Sequence, residues 1–134
     1  MLITRECDYA VRIVRALADG TRLCVNDICP QEDLTPAFVY KILKKLEKAK
    51  IVQSFRGSNG GYALRKSLDE VTLLDLYLAV DDSFYIIECM DPKKACSRNE
   101  EEFPCRVHQE MERIQKILIA ELQSKTLAEI LEIR

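Results

Sequence analysis

Residues 35–64 read TPAFVYKILKKLEKAKIVQSFRGSNGGYAL. Thr35 followed by Pro36 is typical of a helix start, because a threonine hydroxyl can accept a hydrogen bond from a free backbone N–H and proline needs no N–H in the first turn. Apolar residues then recur at three- and four-residue spacing and predict one buried face, formed by Val39, Ile42, Leu43 and Leu46. The opposite face of this helix is mostly basic, with Ala37, Tyr40, Lys41, Lys44 and Lys48.

A hairpin is predicted directly after this helix. Residues 51–55, IVQSF, have the composition of a short strand, residues 56–61, RGSNGG, that of a tight turn, and residues 62–64, YAL, that of the returning strand. A capped helix followed by a glycine-tipped hairpin is the order of elements in a winged helix-turn-helix domain. The sequence therefore predicts a mainly α-helical protein with a small β-hairpin as its wing.

Charge is unevenly distributed along the chain. The formal net charge is −2, yet residues 36–66 contain eight basic residues and a single acid, Glu47. Lysines on a helix are often only a solvated face, but a basic helix followed by a basic hairpin favours contact with a phosphate backbone. We expect Tyr40, Lys41 and Lys44 to enter the major groove of DNA and Arg56 the flanking minor groove. The full set of expected contacts is Thr35, Ala37, Tyr40, Lys41, Lys44, Arg56, Gly57, Ser58, Asn59 and Gly60.

Helices are also predicted on both sides of this segment. Thr4 can cap a first helix, Asn26 or Asp27 can start a second, and Thr72 can cap a leucine-rich helix after the hairpin. We expect residues 1–82 to form the winged helix-turn-helix domain.

Residues 83–134 are predicted to form a cysteine loop and a dimerisation helix. The charged, proline-containing stretch 88–104 is typical of a loop. A stripe of apolar residues then predicts a long helix: Val107, Met111, Ile114, Ile117, Leu118 and Leu122. The predicted domain of residues 1–82, called the head below, is too small to bury the whole stripe. We therefore expect the helix to form a dimer interface.

Three of the six cysteines lie in or at the end of the predicted loop: Cys89, Cys96 and Cys105. His108 follows Cys105 by three positions, which places both side chains on one face of the helix's first turn. Three thiolates and an imidazole can hold zinc or an iron–sulfur cluster. The spacing lacks the two close cysteine pairs of a zinc ribbon. The other cysteines, Cys7, Cys24 and Cys29, lie in apolar surroundings and are expected to be buried.

Catalysis by a cysteine with His108 is the enzymatic alternative. The sequence has no α/β pattern that would form a pocket and no obvious acid to orient the imidazole, so we predict that the protein is not an enzyme. It also has neither an apolar stretch long enough for a membrane nor a signal-peptide layout. We expect a cytoplasmic location without membrane contact, where cysteines are thiols or metal ligands.

The order of motifs resembles the Rrf2 family of bacterial transcription regulators. The matching motifs are Asp8-Tyr9-Ala10, residues 46–52 (LEKAKIV), Arg56-Gly57 followed by Gly60-Gly61-Tyr62, the cysteine loop and the long C-terminal helix. The cysteine triplet is similar to that of the cluster-binding members, which include the iron–sulfur cluster assembly regulator and the nitric oxide sensing repressor.

This resemblance implies a homodimer that binds palindromic promoter DNA under the control of a 2Fe-2S or 4Fe-4S cluster. Cys89, Cys96 and Cys105 would be three of its ligands. His108 as the fourth is similar to the two-iron regulator, whereas Asp8, supplied by the other subunit, is similar to the four-iron sensor. The alternative function is an iron–sulfur or zinc-binding redox or carrier protein whose basic face is incidental.

Overall fold

The computed structural model describes residues 3–132 of the 134-residue chain. Within this range the chain forms six α-helices and one antiparallel hairpin. Their order is α1 (Arg5–Ala16), α2 (Val25–Glu32), α3 (Pro36–Lys48), β1 (Val52–Phe55), β2 (Gly61–Leu64), α4 (Leu73–Val80), α5 (Arg106–Gln123) and α6 (Leu127–Ile130). Short 3-10 helices lie at Leu68–Glu70, Glu88–Met90 and Pro92–Lys94. The mainly helical fold with one hairpin confirms the predicted fold class.

Side-chain caps fix most helix starts. The Thr4 hydroxyl accepts a hydrogen bond from the first turn of α1, and Thr72 forms a reciprocal capping pair with Asp75 at the start of α4. Thr35 is the N-cap residue of α3, but its hydroxyl makes no capping hydrogen bond. Pro36, in the first helical position, therefore contributes more to this helix start than the threonine side chain does.

The second helix starts earlier than the sequence predicted. It begins at Val25 with Cys24 as the N-cap, so the prediction of a start at Asn26 or Asp27 was wrong. The carboxylate of Asp27 accepts hydrogen bonds from the Cys24 backbone N–H at 3.1 Å and from the Cys24 thiol at 2.9 Å. Asp27 thus caps the helix from inside its first turn, which accounts for the earlier start.

The core is formed by helices α1–α4 together with β1. Val39, Ile42, Leu43 and Leu46, the predicted buried face of α3, are all 0% exposed. They pack with fully buried residues of the other elements, Ile13, Leu17, Ile28, Val52 and Leu76. This packing fixes α3 with its basic face outward.

The hairpin is joined to the rest of the fold by a third extended segment. Strands β1 and β2 pair in register from Val52↔Leu64 to Phe55↔Gly61. Leu23, just before α2, bridges Tyr62 through two backbone hydrogen bonds of 2.9 and 2.7 Å. Gly61 sits beneath this crossing with φ +142°, and a Cβ there would lie 2.7 Å from the Leu23 carbonyl oxygen. The wing therefore requires a glycine at this position.

Helix α5 divides the predicted apolar stripe between two faces. Leu118 and Leu122 pack against the core of their own chain, so the expectation that the whole stripe serves a dimer interface was wrong for them. The outer face carries Val107, Ile114 and Ile117, which are 68%, 39% and 51% exposed. At about 100° per residue, Ile117 and Leu122 lie on opposite edges of this stripe, with Leu118 between them, so one edge can face solvent while the other contacts the head.

Helix α6 returns to the first region of the chain. The Leu127 backbone N–H donates to the Val71 carbonyl at 2.7 Å, and the Leu127 side chain is 1% exposed.

The boundary between residues 1–82 and 83–134 stays a prediction. None of the helices within residues 3–132 is long and apolar enough to cross a membrane.

Candidate nucleic-acid interface and cysteine loop

The outward face of α3 is open to solvent. The side chains of Ala37, Tyr40, Lys41, Lys44 and Lys48 are all exposed, and Tyr40 is 53% exposed. Because the opposite face is held in the core, these five side chains project together from the surface.

A carboxylate from α1 lies beside this basic face. Glu6 pairs with Lys41 at 2.5 Å and accepts a hydrogen bond of 2.8 Å from Lys45, which also donates to the Val80 carbonyl at 2.9 Å. The hydrogen bonds from Lys41 and Lys45 lower the pKa of Glu6 despite its partial burial. Lys45 therefore links α3 to α1 and α4, while Lys41 is an exposed cation held by an acid.

Phe38 is an exposed aromatic residue that the sequence analysis did not include. It is 49% exposed, and its ring centroid lies 5.5 Å from that of Tyr9 on α1 at an interplanar angle of 58°. Helical period alone places Phe38 four residues before the buried Ile42, so no local signal separated it from the core. The pair extends the exposed surface of α3 toward α1.

The wing tip is a compact glycine turn. Residues 56–59 are exposed, and the Gly60 N–H donates to the Gly57 carbonyl at 3.0 Å. Gly57 has φ +94°, and a Cβ on Gly60 would lie 2.8 Å from the carbonyl oxygens of Gly57 and Phe55. The turn thus places Arg56 and its neighbours at the far end of the hairpin.

Arg22 adds a cation to the wing that the charge count along the chain missed. Its guanidinium lies 3.5 Å from the Phe55 ring centroid and donates to the Asn59 carbonyl at 2.9 Å. Arg22 precedes the basic segment by fourteen positions in the sequence, and only the fold brings it there.

Helices α1 and α2 are braced by a buried carboxylate. Glu32 is 9% exposed, and both of its carboxylate oxygens accept hydrogen bonds from the Arg15 guanidinium. Arg12 donates to the Glu32 carbonyl at 3.0 Å and pairs with Asp8 at 3.3 Å. These contacts fix the end of α2 and hence the turn that leads into α3.

The structure brings two of the predicted metal-binding side chains into contact. Cys89 Sγ lies 3.5 Å from His108 Nδ1, which joins the loop to the first turn of α5. Cys96 is exposed and Cys105 is half-buried at the N-cap position of α5. Among residues 3–132, no three His, Cys, Asp or Glu side chains are close enough together to hold a metal ion. Asp8 lies on α1, where Arg12 binds it.

The donor types nonetheless suit a metal centre. Thiolates and imidazole are the usual protein ligands of zinc and of iron–sulfur iron. The Cys89–His108 pair supplies two of them already in contact, while the exposed Cys96 and the half-buried Cys105 lie in the same loop and at its end. The chemistry of the four side chains fits such a group, while the described conformation gathers two of them.

The remaining cysteines lie in the head. Cys7 is 5% exposed. Burial, with a smaller contribution from the nearby Asp8 charge, raises the pKa of its thiol to about 11. Burial also raises the pKa of Cys29, and the Cys24 thiol is hydrogen-bonded to Asp27. Only Cys7 is fully buried, so the expectation of burial was wrong for Cys24 and Cys29, which are half-buried around α2.

A head with an exposed basic helix beside a basic wing is the architecture of a winged helix-turn-helix DNA-binding protein. The chain belongs to the Rrf2 family, whose model, described as an iron-dependent transcriptional regulator, matches residues 3–133. The protein is therefore a DNA-binding transcriptional regulator. Membership of this family also favours a regulator over the redox or carrier alternative.

Individual relatives are distant. The chain is 34% identical over 93 residues to protein aau3 of Rhizobium meliloti (strain 1021), and the match covers 68% of this chain and 60% of aau3. The chain thus spans less than two thirds of that relative's length.

Solved structures confirm the fold. The oxidised form of CymR from Staphylococcus aureus matches with a TM-score of 0.75 and 20% identity, covering 100% of this chain and 98% of CymR. T. potens IscR matches with a TM-score of 0.73 and 21% identity, covering 97% of this chain and 85% of IscR. At these identities the likeness concerns the fold alone.

Proposed function

We propose that the protein is a homodimeric promoter-binding regulator whose DNA affinity is set by an iron–sulfur cluster held in its cysteine loop. The contact between Cys89 and His108 carries this proposal, because it links the loop to the long helix α5 through a thiol and an imidazole, two types of side chain that can bind iron. The description of the family as iron-dependent supports the choice of metal.

DNA contact is assigned to α3 and the wing. Thr35, Ala37, Tyr40, Lys41 and Lys44 are all exposed on or beside α3, where they can reach base edges and phosphates of a major groove. The wing residues Arg56, Gly57, Ser58, Asn59 and Gly60 then face the flanking minor groove. A guanidinium there favours A·T-rich sequence, because a narrow minor groove concentrates negative potential.

Dimerisation is assigned to the outer face of α5. Val107, Ile114 and Ile117 are exposed in one chain and spaced like the seam of a two-helix packing. A symmetric pairing of this face buries them and places two heads on one duplex. The matching DNA is a palindrome with half-sites about 34 Å apart or a multiple of that.

Cluster binding is assigned to Cys89, Cys96, Cys105 and a fourth residue. An iron–sulfur cluster, of the 2Fe-2S or 4Fe-4S type, supplies a centre that responds to redox state and to reactive gases. His108 is the preferred fourth ligand because it already contacts Cys89, whereas Asp8 is paired with Arg12 at 3.3 Å and would have to leave that pair.

The loop and α5 are mechanically connected. Besides the Cys89–His108 contact, the side-chain oxygen of Gln115 accepts a hydrogen bond of 3.0 Å from the Ile86 backbone N–H. Both contacts lie on the side of α5 that faces its own chain, adjacent to the proposed dimer seam. A change in the loop therefore shifts α5 and with it the relative position of the two heads.

Anaerobic reconstitution with iron and sulfide tests the cluster. We expect visible absorption and bound iron in the wild type, loss of both in Cys89→Ala, Cys96→Ala and Cys105→Ala, and retention in Cys7→Ala, Cys24→Ala and Cys29→Ala. Anisotropy on duplexes that the protein selects from a random pool should show different affinities for the loaded and metal-free forms. Zinc without iron after anaerobic purification, or equal affinity in both forms, would contradict cluster control while leaving DNA binding standing.

A further inference from the structure

The wing is held from outside by one side chain of the segment between α1 and α2. Arg22 places its guanidinium carbon, Cζ, 3.5 Å from the ring centroid of Phe55, on the outgoing strand. The same guanidinium donates through Nη1 to the carbonyl of Asn59, in the turn, at 2.9 Å. A single residue thus contacts both the strand and the tip of the wing.

The backbone next to Arg22 fixes where this side chain can reach. Leu23 is bridged to Tyr62 on the returning strand by hydrogen bonds of 2.9 and 2.7 Å. The close approach at Gly61, whose Cβ would meet the Leu23 carbonyl, keeps the two backbones in contact. Arg22 therefore extends toward the wing from a point that is already attached to it.

Such support matters because the hairpin is small. Four residue pairs join β1 and β2, and a two-stranded hairpin of this size is only marginally stable by itself. Residues 56–59 at its tip are exposed. Within the tip, the Gly60 N–H donates to the Gly57 carbonyl. The Asn59 carbonyl accepts a hydrogen bond from Arg22, and this bond connects the tip to the rest of the head.

Arginine suits this task better than lysine does. A planar guanidinium can stack on an aromatic ring and donate from its edge at the same time, whereas an ammonium group is a point charge. The Arg22 residue is exposed overall, so its contacts are a surface clamp and not part of the hydrophobic core.

We propose that Arg22 is a positioning residue that holds the wing tip in its DNA-binding conformation, presents Arg56 to the flanking minor groove and thereby sets the preference for flanking sequence. This inference rests on the proposed function. The role belongs to the geometry of Arg22 and not to its charge alone.

The test uses the full-length wild type and the variants Arg22→Lys, Arg22→Gln and Phe55→Leu. Duplexes selected by the wild type from a random pool are rebuilt with either A·T-rich or G·C-rich flanks, and anisotropy gives the affinity for each. Lys125→Gln, between α5 and α6, controls for loss of one exposed charge. Circular dichroism melting checks that every variant is folded. Because Arg22 is exposed, its substitutions should not unfold the protein.

We expect all three wing variants to bind the A·T-flanked duplex about fivefold more weakly and the G·C-flanked duplex within about twofold of the wild type, since Phe55→Leu removes the stacking contact and the Arg22 variants disturb both that contact and the hydrogen bond to Asn59. In an Arg56→Ala background, the further loss from Arg22→Gln should disappear, because Arg22 then has no minor-groove group to position. Lys125→Gln should leave the flank preference unchanged.

Any of the following results would overturn the inference. Wild-type behaviour of Arg22→Lys would show that charge alone matters, and additive losses in the Arg22→Gln/Arg56→Ala pair would show that the residues act independently. If the wild type selects no duplex at all, the proposed function fails and takes this inference with it. Selection by the wild type with unchanged Arg22 variants defeats the inference alone.

Discussion

The carboxylate of Glu6 on α1 accepts a hydrogen bond of 2.8 Å from the ammonium group of Lys45 on α3. The second carboxylate oxygen of Glu6 pairs with Lys41, one turn earlier on the same helix. Lys45 has a further acceptor in the Val80 carbonyl, whereas Lys41 is exposed and points to the surface assigned to DNA. In the proposed DNA complex, Glu6 of α1 would therefore compete with phosphate for Lys41 of α3.

Replacing Glu6 with glutamine should strengthen DNA binding. The change frees Lys41 and removes a negative charge beside the phosphate backbone, so we expect about three- to tenfold tighter binding at low salt and a smaller gain at high salt. Fluorescence anisotropy of labelled DNA, titrated with each protein at several salt concentrations, measures this change in affinity. Glu47→Gln is the matched control, because it removes the same charge from α3 where Glu47 accepts a hydrogen bond from Ser54 at 2.7 Å. An equal gain in Glu47→Gln would mean that release of Lys41 is not the cause.

The same contact predicts how stability depends on pH. Hydrogen bonds from Lys41 and Lys45 lower the pKa of Glu6 from its ordinary value of 4.5. The folded state therefore favours the ionised form, which stabilises it above the unfolded pKa, and this stability is lost as pH falls through the folded pKa. In urea titrations between about pH 6 and pH 3, the wild type should lose more stability than Glu6→Gln. Parallel curves for the two proteins would contradict this.

Contacts such as these mark the limit of what the sequence could predict. The buried face of α3 and the glycine turn of the wing follow from local period and local backbone needs, and both were confirmed. Glu6 and Lys45 are 39 positions apart, and Arg22 and Asn59 are 37 apart, so neither pair leaves a local pattern.

The cysteine loop shows the same limit in the candidate site. The spacing of Cys105 and His108 predicted a shared helix face, but the structure places His108 against Cys89, nineteen positions earlier. Donor types can be read from a sequence. Which donors meet depends on the path of an irregular loop, which has no period to reveal it.

The two faces of α5 should respond differently to mutation. Ile114→Arg puts a charge on the exposed outer face, so we expect the dimer to dissociate while each chain stays folded. Leu118→Ala removes packing from the inner face, so we expect about 1–2 kcal/mol less stability and an unchanged dimer. Light scattering gives the mass and urea titration gives the stability. A fully dimeric Ile114→Arg would remove α5 from the interface.

Alanine substitutions at Gly20 and Gly61, which both have positive φ, distinguish the cost of backbone strain from the cost of a steric clash. Gly61→Ala combines φ +142° with a Cβ 2.7 Å from the Leu23 carbonyl oxygen, whereas Gly20→Ala has φ +83° and nothing within 4 Å. We expect about 1 kcal/mol of lost stability at position 20 and about 2–4 kcal/mol at position 61. Since Gly61 joins the wing to Leu23, the second change should also weaken DNA binding. Equal losses at both sites would show that the crossing can relax.

The fourth ligand can be distinguished by comparing iron content with DNA affinity. His108 already contacts Cys89, so His108→Ala should lower bound iron and shift the visible spectrum after anaerobic reconstitution. Asp8 pairs with Arg12, which also donates to the Glu32 carbonyl at the end of α2. Asp8→Ala should therefore leave iron content nearly unchanged and alter DNA affinity through the brace that leads into α3.

Measuring both iron content and DNA affinity distinguishes His108 from Asp8 as the fourth ligand. Asp8→Asn is the matched variant, because the amide can keep a hydrogen bond to Arg12 while it is a poor ligand for iron. With His108 as the ligand, Asp8→Asn should match the wild type in iron content and stay closer to it in DNA affinity than Asp8→Ala does. A normal cluster in His108→Ala together with its loss in both Asp8 variants would instead assign the fourth position to Asp8, and would require Asp8 to leave Arg12 when the cluster binds.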